Sequence, residues 1–431
     1  MTIAIAIAIA MLGCDKPQPC QPDGSCPPPL TCVAGLCKNT LGLQPSGDAS
    51  ADGSGDCPSD VPFGALAEAA HTAYAGELVV VGGHAGRGRC SAAKPVDAYA
   101  DAATFAPCGG FRTLPPVPGT RYGAMSVGGP DGALWVVGGR RDGGAGLSIP
   151  LGDTFRLAAG DANWGTGAAD VPARSHGALA ATLDPPALWL HGGDIGTQPG
   201  VPIATGALRR LDVPTGTERR ALAWTLPATS GDAPGARRGH ALLGRAGSLV
   251  MLGGIGPTGV LPGDVRIYEI ATGVWRQVDI LSEEPTPRAF SATAWLPDGK
   301  VLVFGGRDAD WGERNDLWSL DVEAGIYTRL RQGDLGLDNL RDGTIAAPPA
   351  TCEPPAALLG FSATDPERRA GGGLLVTGGG AWLYGGAGAC GALGDVWRYD
   401  LAQKAWAIGR TAGPGAACPM RRSGCTTLCE P

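Results

Sequence analysis

The chain has 431 residues, with 71 glycines, 37 prolines, 44% hydrophobic residues, only 17% charged residues and a formal net charge of −7. It has no basic footprint, which argues against a nucleic-acid partner. Glycine and proline together make about a quarter of the chain, a level at which disorder is a natural reading, but here the glycines fall at fixed places between apolar runs. Many short apolar runs bounded by Gly, Pro and Asp, with few long amphipathic patterns, read as an all-β protein.

Residues 1–13 read as a leader. Thr2 to Leu12 is apolar apart from Thr2, too short to span a bilayer comfortably and suited to the core of a signal peptide. Met11-Leu12-Gly13-Cys14 resembles a bacterial lipobox, which implies that Cys14 carries lipid and anchors the chain at the cell envelope. Two features depart from that pattern: Met stands three before the cysteine, and no Lys or Arg precedes the apolar run. The alternative is an ordinary cleaved signal peptide on a secreted chain, with Cys14 in a disulfide.

Residues 14–38 hold Cys20, Cys26, Cys32 and Cys37 in a stretch too polar for an apolar core, so bridges are expected to hold it. Zinc prefers tighter cysteine pairs than most of these spacings. With Cys14 set aside, 12 of the 13 cysteines remain, an even number that suits an oxidising compartment. Residues 39–60, rich in Gly, Ser, Asp, Ala and Pro, read as a flexible linker.

From residue 61 to 431 the chain repeats. An apolar run closed by a glycine doublet recurs six times, at Gly82, Gly138, Gly192, Gly253, Gly305 and Gly385, with spacings of 56, 54, 61, 52 and 80. Such periods signal a repeat architecture. An arginine precedes five of the doublets, at Arg121, Arg174, Arg238, Arg288 and Arg369, by 17, 18, 15, 17 and 16 residues. After the doublet comes a strand opened by Asp153, Asp264, Asp316 or Asp395, and 11 residues later a large aromatic, Trp164, Trp275, Tyr327 or Trp406. In the third copy Trp224 follows Ala207 by 17, and in the first copy Val96 to Tyr99 is taken as the third strand. Each unit thus reads as four antiparallel strands, and such units bury their faces only by stacking around an axis.

This combined signature resembles the kelch repeat. The resemblance implies a six-bladed kelch-type β-propeller with four antiparallel strands per blade. Arg421 to Leu428 look like another first strand, of the kind that closes known kelch rings, while Gly64 to Ala73 could serve the first blade instead. Strand order puts the loops after the doublets and those between blades on one face. That placement predicts a Cys352–Cys390 bridge, a Cys90–Cys108 pair, and closure bridges among Cys57, Cys418, Cys425 and Cys429.

Of the five histidines, His176 and His240 are read as one repeat position, with His71 as their equivalent, and a structural role is expected for them. His191, which precedes a doublet, points to a blade core or interface, and His84 sits in a loop. No His-x-His, Gly-x-Ser-x-Gly, His-Glu-x-x-His or phosphate-binding loop is present, and no metal or cofactor is expected. Kelch propellers include a copper radical oxidase of galactose and a periplasmic sialic acid mutarotase, so a carbohydrate-active enzyme is the alternative function. A cluster of acids or histidines at the central channel would favour it.

The principal expectation is a monomeric, non-catalytic recognition platform that binds a protein or a small acidic or carbohydrate ligand on the loop face. In some kelch domains arginines of this region bind an acidic peptide, which implies a ligand set of Arg121, Arg174, Arg238, Arg288, Arg369 and Arg422, with Trp311 as an exposed aromatic contact. The competing reading pairs each arginine with an acidic residue of its own or an adjacent blade.

Overall fold

The computed structural model describes residues 66–84, 98–107, 109–144, 147–198, 201–214, 221–260, 263–308, 312–333, 364–388 and 391–410, and the backbone of a hairpin, Thr31–Val33 with Leu36–Lys38. In that hairpin Cys32 lies opposite Cys37 in the strand register. The other expected bridge cysteines, Cys20, Cys26, Cys57, Cys90, Cys108, Cys352, Cys390, Cys418, Cys425 and Cys429, lie outside the described residues. So do Cys14, Arg422, Trp311, the leader and the linker.

The rest is an all-β, six-bladed propeller. Blade 1 is Ala70–Tyr74, Glu77–Val81, Ala102–Ala106 and Gly110–Leu114. Blade 2 is Met125–Gly128, Leu134–Val137, Thr154–Leu157 and Gly165–Thr166. Blade 3 is Ala178–Leu183, Pro186–His191 and Leu208–Asp212, with Thr225 bridged to Arg210 in the fourth place. Blade 4 runs through Ala241–Arg245, Ser248–Leu252, Val265–Glu269 and Val274–Gln277, with Ser230–Gly231 added in parallel at its outer edge. Blade 5 is Ala292–Trp295, Val301–Asp308, Glu313–Asp321 and Ile326–Arg331. Blade 6 is Gly373–Thr377, Gly380–Tyr384, Val396–Asp400 and Ala405–Arg410.

The second strands are apolar without alternation because both faces of each blade are covered by a neighbour. Val79 and Val81 pack with Leu134 and Val136 of blade 2, while Leu78 and Val80, pointing the other way, pack with Tyr384 of blade 6. The same alternation joins Trp135 to Leu188, Trp189 to Leu249, Val250 to Val301 and Leu302 to Leu383. Each interface is thus a core in its own right, and the contact between blades 6 and 1 closes the ring.

One expectation is corrected, and one alternative that the sequence leaves open is decided for blade 1. The third strand of blade 1 is Ala102–Ala106, not Val96 to Tyr99, and its fourth strand carries the buried Phe111. Asp101, whose carbonyl accepts from the Gly82 amide, marks the true register. The innermost strand of blade 1, Ala70–Tyr74, comes from the N-terminal side of the first doublet.

Candidate binding site at the channel mouth

The doublets and arginines form one device. The second glycine donates its amide to the carbonyl of the next blade's arginine: Gly83 to Arg121 at 2.8 Å, Gly139 to Arg174 at 2.9 Å, Gly193 to Arg237 at 2.9 Å, Gly254 to Arg288 at 3.0 Å and Gly306 to Arg369 at 2.9 Å. The backbones approach so closely that a Cβ on the first glycine would lie 2.4–2.7 Å from that same carbonyl oxygen. Only glycine permits this contact at positive φ.

The arginine side chain then works within its own blade. Arg369 donates to the Gly385 carbonyl at 3.1 Å and to both oxygens of Asp395 at 2.7 and 2.8 Å. Arg121 treats Gly138 and Asp153 the same way, as Arg288 does Gly305 and Asp316. These are bidentate, charge-assisted pairs. Burial alone would raise the Asp316 and Asp395 carboxyls, but Arg288 and Arg369 overcome it and hold both below the usual carboxylate value. In the fourth blade the strut is Arg237, not Arg238: it donates to Gly253 and to both oxygens of Asp264. Arg121, Arg174, Arg237, Arg288 and Arg369 are 1–6% exposed, and none lines the central channel. The structure therefore supports the pairing within blades for all of them except Arg174, which has no acidic partner among the described residues.

Two residues after each strut, and at Glu68 ahead of blade 1, a second ring appears. Glu68, Gly123, His176, Gly239, Phe290 and Gly371 all have positive φ, from 52° to 72°. Their backbones form a belt of five hydrogen bonds: Gly123 donates to Glu68, His176 to Gly123, Gly239 to His176, Phe290 to Gly239 and Gly371 to Phe290, at 2.6–2.8 Å. Side chains and glycines alternate around it. The rings of His176 and Phe290 overlie Gly123 and Gly239, where a Cβ would lie 2.5 and 2.6 Å from the nearest ring atom. His176 is therefore a belt residue, equivalent to Gly239, whereas His240 stands one place further on, so the expected His176–His240 equivalence does not hold. His240 instead meets His191 at 3.1 Å inside the wall, and burial keeps both well below the usual histidine value.

The belt frames one mouth of a central channel of about 740 Å³ whose walls are mostly small residues of the innermost strands. Glu68, His84, His176, Arg238, Phe290 and Arg307 gather there. Glu68 accepts from His176 Nε2 at 2.8 Å and lies 3.9 Å from His84 Nε2. Burial in the mouth would raise the Glu68 carboxyl, but the two imidazoles outweigh it and hold it well below the usual range. Arg307 pairs with Glu313 at 3.0 Å. Arg140 pairs with Asp194 at 3.2 Å. Arg238 stands 5.9 Å from the centre of the Phe290 ring. Asp194 and Glu68 are near enough to act on it, yet no hydrogen bond or ion pair reaches its guanidinium among the described residues. Asp308 donates its amide to the Gly312 carbonyl at 3.0 Å, and its carboxylate accepts from the Gly312 amide at 2.9 Å; Trp311 lies outside the described residues.

Sequence reasoning missed Glu68, Phe290 and the belt. The signal was the spacing: 15 residues from Arg238 to its doublet falls outside the 16–18 of the other four, whereas Arg237 gives 16. That register aligns Gly123, His176, Gly239, Phe290 and Gly371 at once.

Ring, struts and belt define a kelch-type β-propeller. Residues 166–337 match the KLHDC2/KLHL20/DRC7 Kelch-repeats domain, and the chain carries a kelch-repeat β-propeller domain. It is 31% identical over 116 residues to acyl-CoA-binding domain-containing protein 5 of Arabidopsis thaliana, covering 26% of this chain and 17% of that protein. It is 33% identical over 79 residues to an F-box/kelch-repeat protein of the same plant, covering 17% and 16%. A flagellar outer-arm dynein alpha chain of Chlamydomonas reinhardtii is 30% identical over 111 residues, covering 24% and 2%. The chain thus spans less than a fifth of the length of each of these relatives.

Proposed function

We propose that the domain is a non-catalytic recognition platform whose belt-framed mouth takes an acidic segment of a partner protein, with Arg238 as the anchor and Phe290 beside it. The observation that carries this reading is Arg238: a half-buried guanidinium lining the channel with no acidic partner among the described residues, while the other repeat arginines are bonded inside their blades. Desolvation of the guanidinium lowers its affinity for its own proton and strengthens any charge-assisted bond it makes. The test is fluorescence anisotropy against synthetic peptides carrying Asp, Glu or a free C-terminal carboxylate. Arg238→Ala should weaken a selected peptide about tenfold or more, roughly 1.4 kcal/mol, at an unchanged melting temperature. Undiminished affinity in Arg238→Ala contradicts the proposal.

The cluster of Glu68, His84 and His176 favours the second reading, a carbohydrate-active enzyme. Ser175 Oγ contacts His176 Nδ1 at 3.0 Å, which completes a Ser–His–Glu chain. Ser175, however, is fully buried, so its hydroxyl does not face the channel. A carboxyl held well below its usual range is also a poor proton carrier near neutrality. The enzyme reading gains if anomeric exchange of sialic acid or galactose, followed by NMR, is accelerated by the native protein and not by Glu68→Gln.

At the other end, Leu12-Gly13-Cys14 supports a lipid anchor at the envelope. Cys14→Ala should then release the protein from membranes, and mass spectrometry finding an unmodified mature N-terminus downstream of Cys14 removes that reading.

A further inference from the structure

Blade 3 departs from the strut rule at two positions, Ala207 and Arg209, that stand two residues apart. In blade 4 the Asp264 carboxylate is a hub: it accepts two bonds from Arg237 and a third from Arg266 Nε at 2.9 Å. In blades 5 and 6 the third donor is Trp318 or Trp397, again two residues beyond the aspartate, at 2.8 and 2.7 Å. The backbone register places Ala207 where these aspartates stand, because the Gly192 amide donates to the Ala207 carbonyl as Gly253 does to Asp264 and Gly138 to Asp153. The donors nevertheless remain. Arg174, 2% exposed, holds the carbonyls of Pro172 and Gly192 at 2.9 and 3.0 Å but has no carboxylate among the described residues. Arg209 occupies the place of Arg266, and its Nε is buried without an acceptor. In blade 2 the corresponding residue is Phe155, whose ring lies 5.0 Å from the Arg121 guanidinium. Blade 3 has thus exchanged the acid for alanine while keeping, as blade 4 does, a second cation beside the strut.

Two guanidiniums beside each other, one of them wholly buried, are unfavourable unless a negative charge joins them. Burial first, and then Arg209, depress the Arg174 guanidinium to about 10, whereas no carboxylate raises it. From this convergence we propose that blade 3 binds a small monovalent anion, a halide or a one-carbon or two-carbon carboxylate, between Arg174 and Arg209 in the position that an aspartate side chain fills in blades 2, 4, 5 and 6. The near-complete burial of Arg174 sets the size limit. The site lies inside a blade and is independent of the acidic segment assigned to Arg238.

The test is thermal unfolding of the whole protein at constant ionic strength, with gluconate replaced stepwise by chloride, formate or acetate. The melting temperature should rise by a few degrees in a saturable way with a small anion, and the anion that acts at the lowest concentration identifies the class. Ala207→Asp, which supplies the carboxylate internally, should raise the melting temperature in gluconate and flatten the response. Arg209→Met should weaken the response while the protein stays folded. Equal melting temperatures of the native protein in all four anions overturn the proposal, as does an undiminished response in Ala207→Asp.

Discussion

The Arg237 guanidinium grips the Asp264 carboxylate through parallel hydrogen bonds of 2.8 and 2.9 Å while its backbone carbonyl receives the Gly193 amide of the preceding blade. One residue thereby fixes the start of its first strand, the end of its second, the start of its third and the seam to its neighbour. Arg238, adjacent in sequence, points to the other side and faces the channel. The pair separates two jobs, bracing the blade and presenting charge at the mouth, and the consequences differ in kind.

Removing a strut should destabilise the fold. Arg369→Ala leaves Asp395 in a mostly buried position without its counter-charge, a change of the class that typically costs about 3–5 kcal/mol. Arg238→Ala removes no side-chain hydrogen bond to the described residues and should change stability by less than about 1 kcal/mol, through its stacking on Phe290. Denaturant titrations of both variants check the contrast, and equal losses would show that the two arginines do not differ in role.

The belt glycines should differ from one another. Gly371→Ala adds a methyl with nothing within 4 Å and meets only the left-handed backbone penalty at φ 72°, about 1–2 kcal/mol. Gly239→Ala adds the same penalty at φ 64° and drives its methyl into the Phe290 ring, about 1–3 kcal/mol more. Differential scanning calorimetry of the two proteins measures the gap, and a Gly239→Ala protein as stable as Gly371→Ala would mean the Phe290 ring is free to leave the belt.

Acid should weaken the domain well above the carboxylate range. Burial lowers His71 to about 4, and burial together with Arg237 and Arg174 lowers His191 to about 3, against 6.5 for the unperturbed side chain. Between those limits the unfolded chain binds more protons than the folded one, so stability rises with pH and is withdrawn as pH falls from about 6.5. Asp316 and Asp395, held below their usual 3.8, add a further loss beneath that value. A melting temperature that stays flat from about pH 7 to about pH 4.5 would show that the histidines are not buried as neutral groups.

Glu68→Gln should be mild. The side chain stands among the channel walls yet is 43% accessible to water, and an ion pair so exposed contributes about 1 kcal/mol or less. Urea unfolding of the variant measures this, and a much larger loss would make the Glu68–His176 contact between blades 1 and 3 a principal clamp of the ring.

The repeat was legible because it is written locally. Val301 to Phe304 is apolar at every position only if both faces are buried, the doublet at Gly305 is required by the close carbonyl of Arg369, and Tyr327 sits at a fixed distance from Asp316; these constraints act within or next to one blade, so composition and spacing carry them. The assignment of Arg237 over Arg238 was recorded only as one residue of spacing, because both are arginines and side-chain direction on an irregular segment depends on the neighbouring blade. The meeting of Glu68 with His176 was not legible at all. They are 108 residues apart and belong to blades that do not adjoin, so only closure of the ring brings them to one mouth. The channel chemistry is likewise a product of closure: six separate blades, each contributing one or two residues, become a site when the contact of Leu78 and Val80 with Tyr384 joins the last blade to the first.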